Sequence, residues 1–223
     1  MTRKSVLALL FVSLIIAGCQ TTPEEKTHAE AGQWQSLFDG ETLNGWKASE
    51  NKDTFSVSEG KIIVAGPRSH LFYVGPVNGA NFRDFEFKAD VMTKPGSNSG
   101  IYFHTEYQET GWPYKGFECQ VNTTHKDRKK TGGLYAVQDV IDNAPSVDNR
   151  WFNYYIRVEG KHVVIKIDGK TTVDWTQPEG YTPPKGMPGR MIGEGTIALQ
   201  GHDPKSVVHY KNIMVRVPPA PMD

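Results

Sequence analysis

Through most of this chain apolar residues recur at every second position, in short runs separated by Gly, Pro, Asn and Asp. That period belongs to β-strands, whose successive side chains point to opposite faces. Asp84 to Val91 is a clear case, with Phe85, Phe87, Ala89 and Val91 on one face and Glu86, Lys88 and Asp90 on the other. Trp151 to Gly160 repeats the pattern through Phe152, Tyr154, Ile156 and Val158. Val163 to Val173 reads as a hairpin about Asp168-Gly169, the dipeptide that a two-residue primed turn favours. Phe55 to Val64 reads as strand, turn at Glu59-Gly60, strand, and Trp34 to Trp46 carries the turn dipeptides Asp39-Gly40 and Asn44-Gly45. Further strands are predicted over Gly133 to Val140, Gly195 to Asp203 and Val207 to Val217. His125 to Lys130 reads as a solvated basic loop, and the Pro- and Gly-rich stretch from Pro178 to Arg190 as a long loop. Beyond the N-terminal segment no long run shows helical periodicity. About a dozen short strands predict an all-β domain folded as a two-sheet sandwich.

One stretch departs from ordinary solvent-facing alternation. Between Asn98 and Asn122, Ile101 and Phe103 alternate with Tyr102 and His104, and Phe117, Cys119 and Val121 alternate with Glu118, Gln120 and Asn122. The polar face therefore carries Tyr, His, Glu, Gln and Asn, residue types that bind sugars and move protons. Trp112, Tyr114 and Lys115 lie between the two strands, flanked by Gly111 and Gly116. This pair of strands is expected to form the floor of a ligand groove.

The first residues read as a targeting segment. Arg3 and Lys4 precede an apolar run from Val6 to Ala17 that is short for a membrane span, and the run ends in Ile16-Ala17-Gly18-Cys19. Small residues before a cysteine resemble a bacterial lipobox, which predicts a signal peptide over residues 1–18 and lipidation of Cys19. A plain secretory signal or an uncleaved anchor are the alternatives. Gln20 rather than Asp after the cysteine favours, by resemblance to sorting rules, an outer-membrane lipoprotein in the cell envelope. Residues 19–32 are polar and aperiodic, as in a flexible tether, and 218–223 form a Pro-rich tail. Residues 33–217 suit one domain with a sizeable core.

The chain balances 25 basic against 25 acidic residues, which gives no electrostatic case for a nucleic-acid partner. Its 2 cysteines allow no disulfide framework once Cys19 is lipidated, and Cys119 on the apolar face of its strand reads as buried filler.

Ile197 and Leu199 alternate inward, turning Gln200 outward with His202 on the same parity. Were this strand to lie beside the central pair, His104, Glu118, Gln120, Gln200 and His202 would share one patch. A conventional glycosidase needs two carboxylates flanking the scissile bond. Glu118 supplies one, but its same-face neighbour is Gln120, and nothing in the spacing of Glu106, Glu109 or Asp203 marks a second. No zinc motif is present, although His104, Glu118 and His202 could gather a metal. A general-base site fits best: an imidazole takes a proton while a carboxylate or amide orients it or the substrate.

An ordered set of motifs resembles the bacterial 3-keto-disaccharide hydrolase family, whose fold is a concanavalin A-like jelly roll. The set comprises L-F-D-G-E-T-L-N-G-W from Leu37, D-F-E-F from Asp84, N-S-G-I-Y-F from Asn98, G-F-E-C-Q from Gly116, the strand opening at Trp151, and L-Q-G-H-D-P from Leu199. His104 stands where many relatives carry Arg, so an Arg role does not transfer to that position. The resemblance implies a glycoside already oxidised to a ketone at C3 by a separate sugar dehydrogenase. The ketone acidifies the C2 proton; a base removes it, and the C1 oxygen leaves, with or without addition of water. The catalytic candidates are His104 or His202 as base and Glu118 as orienting or proton-shuttling group. Gln120 and Gln200 are candidates for hydrogen-bonding sugar hydroxyls, Trp112 and Tyr102 for stacking on the pyranose, and Lys115 for substrate contact. Asn98 is either a substrate contact or a turn residue that shapes the rim. A divalent metal on the C3 oxygen is neither demanded nor excluded, and no other cofactor is implied. The alternative, from another functional class, is a non-catalytic, lectin-like envelope lipoprotein.

Overall fold

The computed structural model describes residues 32–219. The signal segment, Cys19, most of the tether and the last four residues of the tail lie outside the described residues. Fifteen strands follow in order: β1 (Gln35–Ser36), β2 (Trp46–Ala48), β3 (Phe55–Ser58), β4 (Lys61–Ala65), β5 (Ser69–Tyr73), β6 (Phe85–Thr93), β7 (Asn98–Thr105) and β8 (Phe117–Asn122). The chain continues through β9 (Lys129–Leu134), β10 (Gln138–Ile141), β11 (Phe152–Glu159), β12 (His162–Ile167), β13 (Lys170–Thr176), β14 (Thr196–Gly201) and β15 (Val207–Arg216). They form two antiparallel sheets, the all-β sandwich that the alternation predicts. The first is ordered β13-β12-β11-β6-β15-β4-β3, with β1 also paired to β15; the second is β10-β9-β8-β7-β14-β5-β2.

The predicted turns form for the predicted reasons. Asp168 and Gly169 both take positive φ (47° and 78°), as a primed two-residue hairpin demands, and Ile167 pairs with Lys170 across it. Glu59 and Gly60 do the same between β3 and β4. Two predictions need revision. The expected basic loop at His125 to Lys130 runs into β9, and the expected single strand from Gly133 to Val140 is two strands with a turn between Leu134 and Gln138. Strand β5 is not predicted by the alternation; five residues between Pro67-Arg68 and Gly75-Pro76 give it too little length to register.

The core lies between the sheets. Phe85, Phe87, Ala89 and Val91 of β6 and Tyr154, Ile156 and Val158 of β11 face Ile101, Phe103, Phe117, Cys119 and Leu199 of the second sheet, all buried. Phe85 and Phe103 meet across the interface with ring centroids 5.8 Å apart, and Phe103 stacks on Phe117 at 5.3 Å. Cys119 is a fully buried free thiol, and desolvation pushes its pKa well up, as filler requires.

The sheets differ on their outer faces. In β6 and β11 buried and partly exposed residues alternate, the sign of one solvated face. In β5, β7, β8 and β14 every residue is buried on both faces, although one face of β7, β8 and β14 is polar. Loops cover that polar face, and the site lies beneath them.

Candidate functional site

Strand register assembles the floor. Tyr102 of β7 pairs with Glu118 of β8 on one side and Ala198 of β14 on the other, and Ala198 pairs with Phe72 of β5. One step along, Gly100 pairs with Gln120, and Gln200 with His70. Residues paired in register share a face, so Tyr102, Glu118, Gln120, Gln200 and His70 all project to the outer side of the second sheet. Gly100 lacks a side chain where Glu118 needs room. A Cβ there would stand 2.8 Å from Glu118 Oε1, 3.0 Å from its Cγ and 3.3 Å from its Cδ.

Glu118 is the centre of the floor. Its Oε2 accepts from the Tyr102 hydroxyl at 2.8 Å and from Arg190 Nη2 at 3.1 Å, and its Oε1 accepts from Gln200 Nε2 at 3.0 Å. Gln200 Nε2 also donates to the Tyr102 oxygen at 3.1 Å. Glu118 is 6% exposed, so the carboxylate exchanges water for three protein donors. An ionised carboxylate offers about four lone-pair positions, which leaves one on Oε1 for a ligand. Desolvation by burial, with the Glu118 charge adding to it, holds the Tyr102 pKa well above the ordinary phenol value, so Tyr102 stays a neutral donor.

Above this floor is a cavity of about 320 Å³, lined by Asn98, Tyr102, Glu118, Gln120, Gln200 and His202 together with loop residues. That volume is within the range of small-molecule sites. The 106–116 loop contributes Trp112, Pro113 and Tyr114, and the long 178–195 loop contributes Gly186, Met187 and Arg190. The two loops are locked together: Gly116 N donates to Gly189 O at 2.9 Å, and a Cβ on Gly189 would meet Tyr114 O at 2.0 Å. Three buried polar atoms of lining residues have no protein partner, namely Asn98 Oδ1, Gln200 Oε1 and Arg190 Nη1. Unpaired buried polar atoms are costly, and these three cluster in residues that line the cavity.

His202 enters the lining beside Trp112, their rings 5.3 Å apart. Its Nδ1 lies 2.8 Å from Asp203 Oδ2, and Asp203 also accepts from Ser206 Oγ and the Lys205 amide. Desolvation pushes the Asp203 pKa up, but the hydrogen bonds from His202, Ser206 and Lys205 outweigh it and hold the pKa down at about 2. A carboxylate can only accept, so Nδ1 of His202 carries the proton and Nε2 is its basic nitrogen. Of the imidazoles and carboxylate expected to share one patch, His202 and Glu118 line the same cavity.

Two expected site residues lie elsewhere. His104 occupies a β-bulge: Thr105 pairs with Thr196 and Tyr102 with Ala198, so Phe103 and His104 together face Ile197 alone. With φ of 55° the bulge breaks the two-residue alternation and turns His104 off the floor. Its Nε2 lies 2.8 Å from Arg83 O, its Nδ1 accepts from the Gly193 amide, and its ring packs on Phe85 and Phe103. Gly116, at φ +83°, makes the bulge possible, because a Cβ there would strike Phe103 O at 2.2 Å. Lys115 pairs with Glu106 at 3.4 Å and does not line the cavity. Asn98, Tyr102, Trp112, Gln120 and Gln200 all line it, with Tyr102 in the floor, hydrogen-bonded to Glu118, and Trp112 at the mouth.

Sequence reasoning missed Arg190, His70 and Asp127. Arg190 comes from an aperiodic loop, where spacing carries no information. His70 alternates with Leu71 in the unrecognised β5 and is fully buried, with neither ring nitrogen partnered. Burial pushes its pKa down to about 3. Among the described residues no group of three or more His, Cys, Asp or Glu side chains is arranged to hold a metal.

Comparison with known proteins bears on the fold and the family. No curated protein matches the chain. Among solved structures, a candidate glycosyl hydrolase from Parabacteroides distasonis superposes with a TM-score of 0.68 at 22% identity, covering 82% of this chain and 93% of that one. A second from the same organism gives 0.67 at 20% identity, covering 83% and 99%. The carbohydrate-binding module CBM66 from Bacillus subtilis gives 0.55 at 14% identity, covering 77% and 95%. At such identities these likenesses establish the fold, a lectin-like sandwich that hosts both enzymes and binding modules. The family model described as the 3-keto-alpha-glucoside-1,2-lyase-like domain matches residues 33–216, and this chain belongs to that family.

Proposed function

We propose that the protein cleaves 3-keto glycosides by removing the C2 proton and expelling the C1 oxygen. In this reading His202 Nε2 is the base, with Asp203 holding its tautomer and stabilising the imidazolium that forms. The C–H electron pair becomes the C2–C3 double bond of an enolate, and its collapse breaks the bond from C1 to the leaving oxygen. That oxygen leaves with the proton returned by the His202 imidazolium, and water adding across the C1–C2 double bond would complete a net hydrolysis. Glu118 is saturated by three donors on all but one lone pair, which suits it to orient a sugar hydroxyl rather than to take the C2 proton. Gln120, Asn98 and Gln200 line the cavity as polar partners for other hydroxyls, and Trp112 borders the sugar at the mouth. Arg190 supplies a fixed positive charge beside them.

The observation that carries this reading is the carboxylate-backed imidazole of His202 and Asp203 in the same cavity as Glu118, whose carboxylate is already held by three donors. Ordinary glycoside hydrolysis needs a matched acid pair, whereas elimination beside a ketone needs one base and a stabilised enolate. The substrate's ketone must come from an oxidation at C3 carried out by another enzyme. The segment ending at Cys19 supports placement of this chemistry on a lipid anchor in the cell envelope.

The test compares nitrophenyl 3-keto-glucoside with nitrophenyl glucoside. Nitrophenol release from the keto form alone, abolished in His202→Ala, is expected. Equal release from both substrates would overturn the proposal.

A further inference from the structure

The cavity is divided by chemistry. Its floor is polar, built on the strands from Asn98, Tyr102, Glu118, Gln120 and Gln200. Its rim is apolar: Trp112, Pro113 and Tyr114 come from the 106–116 loop, and Met187 from the 178–195 loop. Trp112 is 45% exposed and Tyr114 66% exposed, although both line the cavity. Exposed rings scattered singly are ordinary on a protein surface, but these two adjoin one opening with a proline between them.

The rim is fixed, and its backbone groups are engaged. Gln108 Oε1 accepts from the Tyr114 amide at 2.9 Å, and Gln108 Nε2 donates to Trp112 O at 2.8 Å and to Thr110 O at 2.7 Å. Tyr114 O packs against Gly189 on the facing loop, where a side chain would not fit. The Trp112 ring is packed by His70 at 5.6 Å and by His202 and Arg68 at 5.3 Å. Rings held this way give large contact area at little cost in entropy. Apart from the weakly accepting thioether, the four rim side chains carry only an indole N–H and a phenol hydroxyl as polar groups.

We propose that this rim is an aglycone subsite, which takes a planar aromatic leaving group against the Tyr114 ring while the keto sugar occupies the polar floor. The assignment rests on the C2-abstraction reading above and names its substrate class, glycosides with an aromatic aglycone. With the sugar on the floor, the C1 oxygen and its substituent point to the mouth. An aromatic ring there needs no hydrogen-bond partner and gains offset or edge contacts with Tyr114 and a sulfur contact with Met187. A second sugar would bring several hydroxyls to a rim whose backbone groups are already paired, and hydroxyls taken from water without partners are costly. Tyr114 therefore determines specificity and moves no proton.

Benzyl and methyl 3-keto-glucosides of the same anomeric form test this, because both leaving oxygens belong to simple alcohols and the substrates differ in the ring. The wild-type KM should be about tenfold lower for benzyl than for methyl, the magnitude of one good aromatic contact. Tyr114→Ala should cut that ratio at least about threefold, and Tyr114→Phe, which keeps the ring, should hold it within about twofold. A wild-type ratio near one, a ratio unchanged in Tyr114→Ala, or an equal loss in Tyr114→Phe overturns the subsite. So does a lower KM for a 3-keto disaccharide than for the benzyl glucoside, which would give the rim to a second sugar. Failure to turn over any 3-keto glucoside would instead refute the C2-abstraction reading. Calorimetric binding of the unoxidised benzyl and methyl glucosides then reads the subsite by itself: about tenfold tighter binding of benzyl is expected, and equal affinity overturns it.

Discussion

Gly100 is the position where a single methyl group would probe the floor most sharply. Its Cβ would stand 2.8 Å from Glu118 Oε1, and ordinary contact begins at 3.4 Å, so the carboxylate must retreat by about 0.6 Å (3.4 − 2.8). A free side-chain end would swing away at small cost, but this one is held at 2.8–3.1 Å by Tyr102, Arg190 and Gln200. Retreat along the Gln200 bond stretches it from 3.0 Å to about 3.6 Å, beyond hydrogen-bonding range. Losing one charge-assisted bond costs about 1.5–3 kcal/mol. Gly100 does not have positive φ, so alanine adds no backbone strain and returns about 0.4–1 kcal/mol through the unfolded chain. The net loss of about 1–2 kcal/mol should lower Tm by roughly 2–8 °C in a domain of this size. Activity should fall further than stability. Misplacing a catalytic group by about 1 Å costs on the order of 10²-fold, so kcat/KM on a 3-keto glucoside should drop at least about tenfold. Thermal unfolding and steady-state kinetics on Gly100→Ala check both figures. Wild-type kinetics with an unchanged Tm would refute the view that Glu118 is pinned and needed where it stands.

Arg190→Met should destabilise the fold by about 3–5 kcal/mol in urea titrations, because it strands the Glu118 charge in a buried site. Stability should also fall with acid. His70 and His104, held by burial at pKa values of about 3 and about 4, stay neutral in the folded state while the unfolded chain protonates them below pH 6.5. Their contribution is intact above that pH and declines below it, by on the order of 2 kcal/mol each between pH 7 and pH 5. His70→Phe should remove about half of that slope, and an unchanged slope would contradict the assignment. Asp203, held down at about 2, adds a separate loss only as pH falls below about 4, which Asp203→Asn should abolish. Trp112→Ala should raise KM with little effect on kcat, since the ring lies at the mouth. Palmitate labelling of the full chain in bacteria should depend on Cys19.

The fold was legible because the first sheet's strands leave one face to solvent, so apolar and polar positions alternate cleanly in β6 and β11. The floor was legible for a different reason: Glu118, Gln120 and Gln200 are polar residues at positions too rich in hydrogen-bonding chemistry for a solvent face. His104 misled because alternation assumes an unbroken strand, and one extra residue opposite Ile197 reverses the facing of the residues after it. A bulge has no hydrophobic signature; Gly116 and Gly195, both needed for close approach to its backbone, are its marks in the sequence. Arg190 and Asp127 reach the site from loops, whose positions depend on tertiary contacts such as Gly116 with Gly189 and Asn122 with Asp127. Those contacts join residues far apart in spacing terms or irregular in pattern, and periodicity is blind to both.

The central claim is removal of the C2 proton beside a C3 ketone. Incubating the protein with a 3-keto glucoside in deuterated water, and reading C2 by NMR and mass spectrometry, tests it most directly. Deuterium at C2 of recovered substrate or product, absent with the unoxidised glucoside and lost in His202→Ala, is the predicted result. Binding of the keto sugar with its C2 proton retained and its glycosidic bond intact would contradict the account and leave a lectin.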